Sequence, residues 1–342
     1  MASLKEIKDR IASVGGTLKI TSAMKMVASA KLHKAQQAIG NMLPYEKRLH
    51  SMLIDLMGSV NMSAPAASEE GTDRLVSLSN QPDYTESEET YSLMTQREVH
   101  RVAIVAFASN SSLCGAFNSN TFREATAVIN EYRAAGLRDA DITVYSVGRK
   151  MAEAMRKLGF PSPSDFTKMS DSPSYEAASA LAQELLDGFV SGRFDKVELV
   201  YNHYKSTSSQ PTTRQTYLPL SLADATADLQ AGKVAGPVAE PVEAPGPVVR
   251  QVHQPAVEAL DLIVEPSKEE LIATLLPKVV RLRIFTTLLD SAAAEHAART
   301  VAMQLATDNG NDLLQELTLE YNKGRQQKIT SEILDLVGGS LQ

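Results

Sequence analysis

The chain of 342 residues begins and ends in segments that read as helices far longer than a compact domain requires. At the amino end, apolar or small residues recur at steps of three and four through Leu4, Ile7, Ile11, Val14, Leu18, Thr21, Ala28, Leu32, Ala35, Ile39 and Met42, then Leu49, Leu53, Leu56 and Val60. This heptad-type spacing predicts one helix over about residues 3–58 with a seam along one face. Pro44 falls inside it and removes one backbone donor, so a bend is expected there and not an end. At the carboxyl end, residues 267–337 are dominated by Leu, Ala, Glu, Lys, Arg and Gln, with Pro277 near the start and Gly310 and Gly324 as weak positions. A rise of 1.5 Å per residue makes these rods about 80 and 100 Å long. Rods of that length make sense as a pair or a shaft.

Small residues mark where two helices would approach most closely. Ser291, Ala292, Ala293 and Ala294, followed by Ala297, Ala298 and Ala302, leave room for another backbone. An Ala-rich surface helix would have the same composition by propensity alone. An equally long amphipathic partner in the same chain favours close pairing.

An aromatic content of 5% without Trp points away from a large conventional core. The net charge of -7 argues against nucleic acid as a partner, because phosphate binding leans on clustered Lys and Arg. Charge is uneven, however: Lys5, Lys8, Arg10, Lys19, Lys25, Lys31 and Lys34 crowd the first helix against Glu6 and Asp9. That helix could face an acidic protein surface, or simply water. Apolar residues of the amino end are interleaved with charge, so no signal peptide is expected, and no stretch reaches the apolar length of a membrane span. A cytosol-like compartment is the expectation. The single cysteine, Cys114, excludes an internal disulfide and reads as a small buried hydrophobe.

Between the rods the period changes. Residues 100–108, 142–147, 196–204 and 212–218 read as strands, and about 119–135, 149–158 and 175–191 as helices. Their alternation predicts a small α/β domain with a mainly parallel sheet. Residues 62–96 are rich in Ser, Glu, Asp and Thr with little periodicity. Residues 232–255 hold Pro237, Pro241, Pro245, Pro247 and Pro255, which resist helix and sheet alike and suit a linker.

An α/β domain raises the question of an enzyme. The first strand-to-helix turn, 109–118, lacks the glycines that bring backbone to a pyrophosphate and the Gly-Lys-Ser/Thr that cradles a triphosphate. His33, His50, His100, His203, His253 and His296 fall singly, so no triad and no metal cluster is indicated. No catalytic residue, cofactor or metal is assigned.

Three segments carry a family resemblance. Leu4-Lys5-Glu6-Ile7-Lys8 through Ile20-Thr21-Ser22-Ala23-Met24-Lys25-Met26-Val27-Ala28-Ser29-Ala30-Lys31-Leu32 resembles the amino-terminal signature of the gamma subunit of F-type ATP synthase. Glu295-His296-Ala297-Ala298-Arg299 through Ala302-Met303, Ala306-Thr307-Asp308-Asn309, Tyr321-Asn322-Lys323, Arg325-Gln326, Ile329-Thr330 and Glu332-Ile333 resembles the carboxyl-terminal one, and Leu113-Cys114-Gly115-Ala116-Phe117-Asn118 the central motif. The matches occur in the family's order and leave out mainly 62–96 and 232–265.

The resemblance implies an α+β fold with long helices: an antiparallel coiled coil of the two terminal helices plus a central Rossmann-like α/β domain. Its parts would be an amino-terminal helix 1–61, a polar insertion 62–96, the α/β domain 97–231, a Pro-rich insertion 232–265 and a carboxyl-terminal helix 266–342. It implies a rotor that couples ion-driven rotation of a c-ring to ATP synthesis or hydrolysis at beta-subunit sites, with no catalytic site of its own. The implied partners are the alpha3beta3 ring, the epsilon subunit and the c-ring, at the cytoplasmic face of a bacterial plasma membrane. By family match, Met24, Lys25, Arg299, Arg325, Gln326, Thr330 and Glu332 are expected as rotor–stator contacts, and Tyr204, Lys205 and Tyr217 as contacts to epsilon and the c-ring. Gly324 departs from the family's usual Ala, a change expected to loosen the helix by up to about 1 kcal/mol. The position of 232–255 suggests a regulatory role, which unchanged ATPase activity and pumping after its deletion would dispose of. The alternatives are a stand-alone α/β enzyme with helical arms, against which the missing phosphate motif counts, and a coiled-coil scaffold or the central stalk of a related vacuolar-type ATPase; the central motif speaks against that stalk.

Overall fold

The computed structural model describes residues 3–62, 93, 97–220 and 267–339. Expectations for the polar insertion, apart from Met62 and Leu93, and for the Pro-rich insertion and its regulatory role lie outside the described residues. The order of elements is α1 (Leu4–Met62), β1 (Val102–Phe107), α2 (Phe117–Ala134), a 3-10 turn (Asp139–Asp141), β2 (Ile142–Val147), α3 (Arg149–Lys157), α4 (Thr167–Asp171), α5 (Tyr175–Val190), β3 (Lys196–Asn202), β4 (Thr212–Leu218) and α6 (Lys268–Gly339). The short α4, with no period long enough to register, is the helix the sequence did not announce. Both long helices run through their internal prolines, Pro44 and Pro277, without a stop.

The sheet has the order β2-β1-β3-β4, with β2, β1 and β3 parallel and β4 antiparallel at the edge. Every residue of β1 is buried, as befits a strand covered on both faces. Alternate residues then serve two cores, because strand side chains point to opposite faces. Val102, Ile104 and Ala106 pack with Ala125, Val128 and Ile129 of α2 and Met151 and Met155 of α3. Ala103, Val105 and Phe107 pack with Leu181, Leu185 and Phe189 of α5, and also with Ile272, Leu276, Val280, Ile284 and Leu288 of α6. The foot of the long helix therefore forms part of the domain's own core.

Beyond the sheet, α6 pairs with α1 in antiparallel sense. Every described seam position from Leu4 to Leu56 is buried or half-buried, whereas Ile20, Met26 and Val27, off the seam, are largely exposed. A Cβ added to Gly310 would sit 2.7 Å from Leu18 Cδ2, and one added to Gly324 would sit 3.1 Å from Leu4 Cδ2. The glycines expected as weak points are thus the holes that receive leucine knobs, at matching intervals on both helices (4 to 18, 324 to 310). Three residues further along each helix, the Thr307 hydroxyl donates to Thr21 Oγ1 at 3.1 Å.

The Ala-rich run does more than the sequence suggested. Ala293 and Ala297 pack on Leu32 of α1, while Ala294 packs on Cys114 and Phe117 of the sheet domain. Small side chains let α6 approach two neighbours at one level. Past Gly324, α6 has no α1 opposite it among the described residues, and residues 325–334 and 336 are all exposed. This overhang of 325–339 spans roughly 22 Å.

Gly310→Ala sets the helix-propensity gain of up to about 1 kcal/mol against a clash with Leu18. We expect it to destabilise the chain in urea unfolding, and Leu18→Ala in the same chain to relieve the clash with a coupling energy of about 0.5–3 kcal/mol. Gly324→Ala, with its looser contact, should show little such coupling to Leu4→Ala.

Candidate functional site at the joint of shaft and sheet

In a parallel α/β sheet whose first strand is central, the loops leaving the carboxyl ends of adjacent strands bound a crevice where ligands usually sit. Here those loops follow β1 (residues 108–116) and β3 (residues 203–211), and α6 lies between them. Local chemistry shapes the first loop. The Ser109 N–H donates to Asn118 Oδ1 at 3.0 Å, and the Ser109 hydroxyl donates to the Ser111 carbonyl at 2.6 Å. Leu113 and Gly115 take left-handed backbone at φ 66° and 59°. That curl turns Cys114 inward, where it is buried as a small hydrophobe, and brings the Gly115 Cα side against Ala302 of α6.

Polar contacts grip α6 from each loop. The Asp290 carboxylate accepts the Tyr204 N–H at 2.9 Å and holds the His203 ring through Nδ1 at 2.6 Å. The Arg299 guanidinium donates to the Ser112 carbonyl at 2.6 Å, to Ser111 Oγ at 2.8 Å and to Glu295 at 2.7 Å. Lower down, the buried Tyr217 hydroxyl donates to the Val280 carbonyl at 3.0 Å. Gln36 of α1 donates to Tyr204 Oη at 2.6 Å, so one tyrosine touches both helices and the sheet domain. The crevice is filled by the chain's own helix, which removes the site that a stand-alone enzyme would use.

Burial and charge tune three groups here. The Asp290 carboxylate bonded to the ring holds the His203 pKa above the ordinary imidazole value, against the smaller effect of burial. Burial, reinforced by the Lys31 and Arg299 cations, pushes His296 down to about 4, and its Nδ1 has no partner among the described residues. Burial also outweighs Arg299 at Glu295 and raises that carboxyl above its usual range.

The expected site residues separate into three groups. Arg325, Gln326, Thr330 and Glu332 lie exposed on the overhang, where the Thr330 hydroxyl donates to the Gln326 carbonyl at 2.9 Å and Glu332 lies 3.8 Å from Lys328. Met24 and Lys25 are half-buried on α1. Two expectations need correction. Arg299, expected to reach outward to a stator, has its guanidinium committed to the loop after β1 with only 11% of the side chain exposed. Tyr217, expected to meet epsilon or the c-ring, is wholly buried against α6 and presents nothing to a partner. Of its companions, Lys205 is exposed and Tyr204 is half-buried in the joint. Asp290 was missed, although it is the only acidic residue between Glu270 and Glu295. An isolated carboxylate in an apolar run was the available signal.

The sequence profile of the ATP synthase family matches residues 3–341. The ATP synthase gamma chain of Phocaeicola vulgatus is 49% identical over 341 residues, covering 100% of each chain. This chain belongs to the ATP synthase gamma-chain family. The gamma chain of Flavobacterium johnsoniae is 37% identical, covering 99% of this chain and 98% of its own, so the likeness runs through both insertions. A chain from the rotor of the Euglena gracilis mitochondrial ATP synthase shares the fold, with a TM-score of 0.52 and 18% identity over 95% of this chain and 98% of its own. As a gamma subunit, the chain is a non-catalytic, central-stalk component of the synthase, and among its described residues no helix is long and apolar enough to cross a membrane.

The two histidines make opposite contributions to stability with pH. The raised His203 pKa stabilises the fold fully below the unfolded value near 6.5, and that contribution fades as pH rises through the folded value. The unfolded chain protonates His296 below about 6.5 while the folded chain resists to about 4, so stability falls as pH drops across that window. Thermal unfolding against pH should therefore show a shallower acid limb in His296→Leu and a shallower limb above neutrality in His203→Gln.

Proposed function

We propose that this chain is the rotor shaft through which ion-driven rotation of a c-ring is coupled to ATP synthesis or hydrolysis at beta-subunit sites. The observation that carries this reading is the change in packing along α6. Its foot is buried in the sheet core, its middle pairs with α1, and its end is exposed, with no helix opposite it among the described residues. A helix end that exposes Ile329, Ile333, Leu334 and Leu336 needs an apolar surround, and an alpha3beta3 ring provides a sleeve of that kind. In this reading the sheet domain of 97–231 stays outside the ring and meets epsilon and the c-ring, with Lys205 on that surface. The complex lies at the cytoplasmic face of a bacterial plasma membrane, and this chain reaches the bilayer only through the c-ring.

Shaft mechanics support the assignment. A rotor must be stiff, which paired helices provide, and must differ from side to side, since a threefold-symmetric shaft could drive nothing. The cations of α1 from Lys5 to Lys34 are mostly exposed, and Arg10 makes a weak pair with Glu6 at 3.9 Å. That leaves these cations available to acidic surfaces of the ring. Met24, Lys25, Arg325, Gln326, Thr330 and Glu332 are the side chains assigned to transient contact with it.

Affinity purification of the tagged chain tests the reading: recovery of a nucleotide-binding hexamer with rotary ATPase activity is expected, and a chain that comes down alone or with unrelated proteins would refute it. Within that complex, Arg325→Ala combined with Gln326→Ala should slow turnover by roughly tenfold, the kinetic equivalent of about 1.4 kcal/mol. The recovered subunit composition should not change, because the joint at the base is untouched.

A further inference from the structure

Apolar packing and polar contacts do different jobs at the joint of shaft and sheet. Burial holds α6 against the domain, most firmly where Ile272, Leu276, Val280, Ile284 and Leu288 key into the sheet core, but the stretch above, built from Ala293, Ala294, Ala297 and Ala298, has little relief to stop the loops at the strand ends from shearing past the helix. Hydrogen bonds have a preferred distance and angle and weaken steeply when sheared. The placement of those bonds on α6 is specific. Asp290 and Arg299 are nine residues apart, about two and a half turns, which puts them on opposite sides of the helix and about 14 Å apart along it. Ala294, Ala298 and Ala302, the positions that face the loop after β1, lie on the arc between them. One flank is therefore tied to the loop after β3 and the other to the loop after β1.

Resting on the rotor reading above, we propose that Asp290 and Arg299 are the two pins of a torsional clamp, each resisting rotation of the sheet domain about the shaft in one sense. A twist that pulls the hairpin after β3 away from Asp290 stretches its bonds to Tyr204 and His203, while the opposite twist stretches the bonds from Arg299 to Ser111 and Ser112. Both pins hold backbone as well as side-chain groups, so the load passes into β3 and β1, the two central strands. Glu295 sets the Arg299 pin, accepting from it one turn away at 2.7 Å. In the rotor reading these residues act on catalysis through position alone.

The test uses the whole membrane complex reconstituted in vesicles, measured in both directions: ions pumped per ATP hydrolysed, and ATP made per imposed ion gradient. Asp290→Ala and Arg299→Ala should each lower coupling by about fivefold or more in one direction, as expected if slip follows the loss of a charge-assisted hydrogen bond. The two variants should favour opposite directions, and the double variant should lose coupling in both. A general weakening of the fold would move both directions together in both variants, so equal effects, or wild-type coupling in the double variant, would overturn the clamp. If an alanine variant fails to assemble, Asp290→Asn and Arg299→Gln give the same directional readout with smaller effects, and its absence there is equally fatal. A wild-type complex that assembles but neither pumps nor synthesises would instead refute the rotor reading.

Discussion

The burial of one helix both in a core of the sheet and in the seam with α1 is the constraint from which the rest of the structure follows. The foot of α6 supplies Ile272, Leu276, Val280, Ile284 and Leu288 to the sheet's core, and the end of α1 adds Leu53 and Leu56. At about 25 cal/mol per Å² of apolar surface, such a set of fully buried aliphatic side chains is worth on the order of 1.5–3 kcal/mol each. Detaching shaft from domain would leave only α5 to cover that face of the sheet. The chain therefore cannot be treated as a rod with a separate globular attachment, since neither part has a complete core without the other.

Side-chain size along α6 sorts its partners. Large aliphatic residues occupy the stretch that lies on a sheet face, where sheet-to-helix spacing must be filled. Alanines occupy the stretch that threads between two loops and α1, where backbones come close. Glycines at 310 and 324 take the leucine knobs of a two-helix pair. Beyond them the overhang carries Ile329, Ile333, Leu334 and Leu336 over one broad side, interspersed with Gln326 and Thr330, while Arg325, Gln327, Lys328, Ser331 and Glu332 fill the other. A helix apolar on every side is made to be surrounded, and one polar on every side is made for water. This one, apolar on one side and polar on the other, presents different faces to whatever surrounds it.

Much of this was legible in the sequence, and what was not has physical reasons. Period and composition located both long helices, all four strands and three of the domain helices, because those signals are local. The roles of Gly310 and Gly324 were inverted, because a hole and a defect look alike until the knob opposite is known. Arg299 and Tyr217 were placed outside when they point inward, because family position fixes a backbone location and not the direction of a side chain. Asp290 went unnoticed because its meaning depends on a backbone N–H contributed from 86 residues away.

The filled crevice bears on how an α/β domain can serve a machine with no chemistry of its own. The loops at the carboxyl ends of parallel strands are good places to hold a ligand because a rigid sheet fixes their spacing while their sequences remain free to vary. A helix under torque makes the same demand as a ligand, for two rigidly spaced grips on a body lying across the strand ends. The loop after β1 has left-handed backbone at Leu113 and Gly115, as a phosphate loop often does, yet its carbonyl at Ser112 faces a guanidinium. Reversing the polarity of the grip, from N–H groups toward an anion to C=O groups toward a cation, turns a ligand-type loop into a grip on the chain's own helix. The constraints on α6 change in turn along it: the sheet and the end of α1 hold residues 272–288, the two loops and α1 hold 290–302, and α1 holds the stretch to Gly324.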